Sequence, residues 1–183
     1  MLGGEAILSL YNGLVLPHLQ YCLMVWGDFK EGRNLTLGGS LLRYQKRFAG
    51  LMAGVGSRYH ADPLFARFSM LKIGDLYRQQ LRVHAWRFWN GRLPAGLASM
   101  LQRVGDVHGH NTRAARGGMH VGTRDHRSIG YRVPVEWAGM TGELREAGSL
   151  AAFKRRSRAG FLGEYELFVC TMRECVVCAE ADA

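Results

Sequence analysis

No apolar run in this chain is long and uninterrupted enough to span a bilayer, which takes about 20 consecutive apolar residues as a helix. A membrane partner is therefore not expected. No basic segment precedes the first apolar stretch, which argues against a secretory signal. Cysteine is scarce: there are four in 183 residues, three of them in the last 14. That is no disulfide framework, and it points to a reducing, intracellular setting, nuclear or cytoplasmic. No Ser-His-Asp or Cys-His arrangement is supported. The glycines at 54, 56, 117, 118 and 122 are not followed by the Lys-Ser/Thr of a phosphate loop. There is no internal repeat.

Acidic residues are also in the minority. Twenty-four Lys and Arg against fifteen Asp and Glu give a net charge of +9. Net charge speaks to partners rather than to fold. A polyanion, nucleic acid ahead of a membrane surface, is the partner it implies; a merely basic soluble protein is the plain alternative. Apolar residues make up 48% of the chain, enough for a real core. The length suits one domain or two small helical ones.

Periodicity predicts helices through most of the chain. Ile7, Leu10, Tyr11 and Leu14 fall on one helical face. Pro17 should break or kink that helix by clashing with the Gly13 carbonyl. Gly27 to Gly39 reads as a polar, Gly-rich loop. A second helix is expected over roughly Leu41 to Ala53, with Leu41, Tyr44, Phe48, Leu51, Met52 and Val55 as its buried stripe and Arg43, Lys46 and Arg47 off it. Asp62 should cap a short helix that has Pro63 at its first position. The longest helix should run from Gly74 to Trp89 and stop at Gly91. Ile73, Tyr77, Leu81, His84 and Phe88 mark one of its faces; Arg78, Arg82, Trp86 and Trp89 mark another. Ser149 is the expected N-cap of a final helix anchored by Leu150, Phe153 and Phe161.

Between Arg103 and Arg132 the composition shifts to six arginines, two aspartates and four of the seven histidines. This reads as a long loop or a set of small strands, and a loop of that length is usually functional or disordered. Toward its end Ile129, Tyr131 and Val133 alternate with Gly130 and Arg132, a short half-buried strand pattern. Pro134 would then open a helix, with Trp137 on its first turn.

The stretch holds Asn111-Thr112-Arg113, a basic gap, and then a Ser-Ile-x-Tyr-Arg-x-Pro-x-x-Trp run ending at Trp137. It resembles the segment that follows the polymerase domain in LINE-type (non-LTR), jockey-like retrotransposon reverse transcriptases. Leu16-Pro17-His18-Leu19-Gln20-Tyr21-Cys22 with Val25-Trp26-Gly27 resembles the start of the thumb in the same proteins. Tyr44-Gln45-Lys46-Arg47 and Asp62-Pro63-Leu64-Phe65 follow in the matching order. The likeness spans roughly Leu10 to Tyr165. It departs at Gly139-Met140 and in the Cys-bearing tail.

The expected fold is mainly α: a small helical domain with a long basic loop and a short extended segment near residues 128–134. The expected divisions are a helical thumb-like region over 1–102, a Gly/Arg/His-rich connector over 103–133, a C-terminal helical segment over 134–165, and a flexible Cys-containing tail over 166–183. A polymerase needs carboxylates that hold two metal ions, and reverse transcriptases carry an adjacent Asp pair. No Asp-Asp dipeptide occurs here. The palm would lie before Met1, so no catalytic residue, no cofactor and no enzymatic activity are expected of this chain. The implied role is to hold RNA or an RNA–DNA duplex, with the missing polymerase domain as a second partner. A degenerate element remnant or a helical protein-interaction module is the alternative.

The residues expected to touch nucleic acid are Arg43, Lys46, Arg47, Arg78, Arg82, Trp89, Arg113 and Arg132. Arginine neutralises phosphates, and an aromatic face can stack a base. The plain reading of the same residues is a solvated face around core tryptophans. No metal site is expected. His108, His110, His120 and His126 are irregularly spaced. Cys170, Cys175 and Cys178 form C-x4-C-x2-C, three thiols where zinc wants four ligands. The last histidine is His126, so a fourth ligand would have to be Glu180 or come from a partner chain.

Overall fold

A computed structural model describes residues 3–27, 37–56, 59–107, 117–167, 170 and 175–181. They are mainly helical. None of the helices is long and apolar enough to cross a membrane. The chain divides into two compact units, Met1–Tyr77 with Arg158–Ala183, and Arg78–Ser157.

The first unit begins with α1 (Gly4–Leu10), a π-helical turn (Tyr11–Val15), α2 (Leu16–Gln20) and α3 (Leu23–Trp26). Pro17 does not break the chain here. The helix widens instead, and the N–H of Leu16 reaches back to the carbonyl of Tyr11. Such a turn absorbs the strain that a proline ring imposes on the preceding turn. It also changes which residues face inward. Of the predicted stripe only Tyr11 is buried, while Leu10 and Leu14 are exposed. Gly4 lets α1 lie close on α4 (Leu37–Ala53): a Cβ there would sit 2.7 Å from the Met52 carbonyl oxygen.

Helix α4 starts earlier than expected, so Gly38 and Gly39 belong to a helix rather than a loop. Its buried stripe is Gln45, Ala49 and Met52, flanked by half-buried Leu41, Leu42 and Phe48. Tyr44 and Leu51, both expected inside, are 59% and 65% exposed. The reason is Gln45. Its amide donates to the Tyr11 hydroxyl at 2.8 Å and the Leu71 carbonyl at 3.0 Å, and its oxygen accepts the Ile73 N–H at 2.7 Å. A buried amide with its partners met is tolerated in a core, and this one turns the helix away from the face that apolarity alone selects.

Helix α5 (Asp62–Arg67) has Pro63 at its second position, one later than expected. Asp62 is not its cap: Ala61 holds that position, and the Asp62 carboxylate takes the Lys72 ammonium at 2.8 Å. Leu64, Phe65, Leu71 and Ile73 complete the core with Phe161 and Tyr165. Tyr165 belongs to α11 (Leu150–Glu166). Its hydroxyl donates to Asp75 and accepts the Lys72 N–H, and its ring meets Phe65 edge-on at 6.2 Å. Burial, followed by the Asp75 carboxylate, pushes that hydroxyl well above the ordinary tyrosine range.

The second unit is entered along α6 (Ile73–Trp89), which Gly91 closes in the left-handed region at φ 64. Short helices α7 (Ala95–Ala98) and α8 (Val104–Val107) follow. Between them β1 (Gln102–Arg103) pairs antiparallel with β2 (Met119–His120), in the register Gln102 to His120 and Arg103 to Met119. The basic span therefore holds small strands and a one-turn helix; residues 108–116 lie outside the described ones.

The expected extended segment at 128–134 is helical. Ser128 is an N-cap whose Oγ accepts the Gly130 N–H at 3.1 Å, and α9 runs Ile129–Ala138 with Pro134 inside it. Val133, Pro134 and Trp137 form its buried face, spaced as on a helix. Five alternating residues were too few to separate a strand from a helix turn, and the residue facing the Pro134 ring one turn back is Gly130. A one-turn helix α10 (Gly142–Arg145) leads to α11, which Ser149 caps as expected, its Oγ accepting the Ala152 N–H at 3.1 Å. Phe153 packs on Trp86 at 5.7 Å. Helix α12 (Val176–Ala181) ends the described chain and contacts α5.

Candidate functional site

The outer face of α4 carries the most exposed group of predicted contact residues. Arg43, Lys46 and Arg47 are all exposed. Ser40, Arg43, Tyr44 and Arg47 line a shallow cleft, which is what spacings of three, four and seven produce on a helix. The Arg47 guanidinium lies 6.0 Å from the centre of the Tyr44 ring. Among the described residues no carboxylate pairs with Arg43, Lys46 or Arg47. The hydrogen-bonded Gln45 holds the helix in the rotation that turns these side chains outward.

Arg78 and Arg82 are placed differently. They stand one turn apart on α6, and their Nε atoms donate to the two oxygens of Glu136 at 2.9 and 3.0 Å. Arg82 and Glu136 are 12% and 17% exposed. One carboxylate on α9 thus clamps both guanidiniums to the unit. Trp86, expected on the same presented face, is core at 1% exposure. Trp89 is half-buried and stacks on Trp137, with centroids 5.0 Å apart and planes 27° from parallel. Arg103 lies 4.7 Å from the Trp89 centroid and Arg145 lies 5.3 Å from that of Trp137. The four side chains form one run of cation–ring and ring–ring contacts. Trp137 is buried and donates its indole N–H to the Gly117 carbonyl at 2.8 Å.

Arg132 donates from Nε to the His126 carbonyl at 2.7 Å. Arg113, His108 and His110 lie outside the described residues. His126 rests against Tyr131 at 4.2 Å, and both line an open surface cleft with Val121, Gly122, Thr123 and Arg124. Among the described residues, the structure places neither His120 nor His126 in a group that could hold a metal ion.

It places another histidine in one. His60 reaches the cysteine tail, and its ring, the Cys170 sulfur and the Cys178 sulfur have ligand atoms all within 4.8 Å of one another. The expectation that a fourth ligand would have to be Glu180 or come from a partner leaves His60 out of account; the side chain of Glu180 lies outside the described ones. The His60 N–H donates to the Cys175 sulfur at 3.2 Å, across 115 positions of sequence. Nothing local to His60 announces this, because the pairing is made by α12 meeting α5. Burial raises the Cys175 thiol, but bonds from the His60 and Cys178 N–H groups and from the neighbouring thiols outweigh it and bring it down to about 7. Cys178 is pushed up to about 12 by burial and by the other two thiols.

No protein-family model, curated protein or solved structure matches the chain.

Proposed function

We propose that this chain is a non-catalytic nucleic-acid-binding fragment of a LINE-type retrotransposon reverse transcriptase. It lacks the polymerase palm and holds RNA or an RNA–DNA duplex by its phosphates, in the nucleus or the cytoplasm. One observation carries the reading: the outer face of α4 presents Arg43, Lys46 and Arg47 without carboxylate partners among the described residues, beside an exposed Tyr44. Cations without partners attract phosphate, and an exposed ring can stack a base for about 1–3 kcal/mol. The resemblance makes this helix part of a thumb, which would lie along the duplex. Arg78 and Arg82 are held by Glu136, and Trp89 stacks on Trp137, within the second unit, so they are not counted in this surface. The absence of an Asp-Asp dipeptide is the ground for a non-enzymatic role.

The test is a salt titration of binding to a fluorescent RNA–DNA hybrid. Affinity should fall linearly on logarithmic axes as salt rises, because each neutralised phosphate releases condensed counterions. A flat response rejects the reading. Primer extension above blank, with magnesium and deoxynucleotides, rejects its non-catalytic part.

A second reading, a helical protein-interaction module, is favoured by Leu14, Tyr21 and Val25, which are 63%, 75% and 79% exposed near the N-terminus. Its partner would be the missing polymerase domain. Loss of binding to a separately supplied polymerase domain in Tyr21→Ser with Val25→Ser, together with no salt-dependent nucleic-acid binding, would favour it over the first.

A further inference from the structure

The cluster at the end of the chain is a set of soft donors that the proposed function does not use. Cys170 and Cys178 present their sulfurs to the His60 ring, with Cys178 Sγ 3.8 Å from Nδ1. Zinc bonds of about 2.3 Å to sulfur and 2.0–2.1 Å to nitrogen give a sulfur–nitrogen tetrahedral edge of roughly 3.5–3.6 Å, which this separation exceeds only slightly. Cys175 stands outside the group of three whose ligand atoms lie within 4.8 Å of one another, but its sulfur takes the His60 backbone N–H at 3.2 Å, which places a fourth soft donor beside that group.

The other side of the imidazole points the same way. His60 Nε2 faces the Asp62 carboxylate at 3.8 Å, and Lys72 holds that carboxylate at 2.8 Å. A metal-bound histidine characteristically turns its second nitrogen to a carboxylate, which fixes the tautomer and leaves the first nitrogen free to bind. Here Nε2 lies on the carboxylate side of the ring and Nδ1 on the side of the Cys178 sulfur. Three thiolates and one imidazole suit Zn(II), whereas oxygen-seeking ions need carboxylates and carbonyls.

We propose that His60, Cys170, Cys175 and Cys178 form a closed, four-ligand structural zinc site that ties the C-terminal segment to the start of α5. Binding releases thiol protons, and its free energy adds to the stability of the fold. The site is independent of whether α4 binds nucleic acid.

The experiment is Co(II) titration of the full chain, purified under reductant and stripped of metal, followed by displacement with Zn(II). The expected result is one cobalt per chain, with the intense visible bands of a tetrahedral ion and thiolate charge-transfer bands in the near ultraviolet. His60→Ala and Cys175→Ser should each weaken binding by at least ~100-fold, beyond the ~10–100-fold typical of outer partners, and Asp62→Asn should fall in that outer range. His60→Cys should restore tight binding with stronger charge-transfer bands, which separates loss of a ligand from loss of folding. Cys22→Ser and His126→Ala should change nothing. The proposal is overturned if the parent shows no tetrahedral spectrum, if His60→Ala or Cys175→Ser leaves the spectrum and affinity intact, or if His60→Cys fails to rescue while its far-ultraviolet dichroism matches the parent.

Discussion

The side-chain oxygen of Gln45 accepts the backbone N–H of Ile73 at 2.7 Å. Ile73 is the first residue of α6, and the first N–H groups of a helix have no partner within it. A side chain from α4 therefore caps a helix from outside, and its amide nitrogen is spent on Tyr11 and Leu71.

Gln45→Leu keeps the volume and removes all three bonds. Each buried group left unpaired costs about 1–3 kcal/mol, so the loss should be at least ~3 kcal/mol in urea denaturation. Tyr44→Ala, next to it but exposed, should stay within ~0.5 kcal/mol. A small effect from Gln45→Leu would mean that water replaces the amide.

Removing both guanidiniums in Arg78→Ala with Arg82→Ala leaves the Glu136 carboxylate, 17% exposed, without the two partners that clamp it. A loss of about 1–3 kcal/mol is expected, discounted toward the lower end because Arg78 is 41% exposed. Adding Glu136→Leu should recover part of it, since an apolar replacement of a whole buried ion cluster is often neutral. Thermal midpoints of the double and triple variants decide the point; equal midpoints would show that the carboxylate is adequately hydrated alone.

Arg43→Ala with Arg47→Ala should behave in the opposite way. The midpoint should hardly move, while the slope of log affinity against log salt flattens by up to about two, one for each lost phosphate contact. An unchanged slope would remove α4 from the interface.

Burial, aided by the Arg87 charge, holds the His84 imidazole below its usual pKa. The fold thus favours neutral His84, while the unfolded chain takes up a proton near pH ~6.5. The contribution is fully present above that value and is lost as pH falls toward the folded pKa. Between about pH 7.5 and pH 5.5 the parent should lose more thermal stability than His84→Gln. Parallel losses would place the acid sensitivity elsewhere.

Much of this fold was legible as periodicity and caps. The α6 stripe of Ile73, Tyr77, Leu81 and His84, the Gly91 stop and the Ser149 cap all depend on neighbours within a few residues, and the sequence displays those directly. What failed depended on partners far along the chain. Periodicity places Tyr44 in the core stripe and leaves Gln45 out of it, because the groups that satisfy Gln45 lie on other elements. Arg78 and Arg82 looked like a presented basic face, because the carboxylate that meets them stands on α9. The Ile129–Val133 alternation was short enough to fit two periods, and Ser128 with its N-cap geometry decided between them. His60 carried no local mark at all; only the return of the chain beside α5 gives it three sulfurs.

The first unit is discontinuous in sequence: the chain leaves it after Tyr77 and rejoins it at Arg158. Its closing contacts come from the returning segment, through Arg158 to the Ser69 carbonyl, Tyr165 to the Lys72 N–H, and Cys175 to the His60 N–H. A ribosome delivers residues in order, so Leu64, Phe65 and Ile73 must wait for those partners, while Arg78–Ser157 is delivered whole and can fold as soon as it emerges. Contacts this distant in sequence also close slowly, because the loop entropy is lost before they form. Translation therefore imposes a folding order in which the interior segment comes first and the start of the chain is completed last.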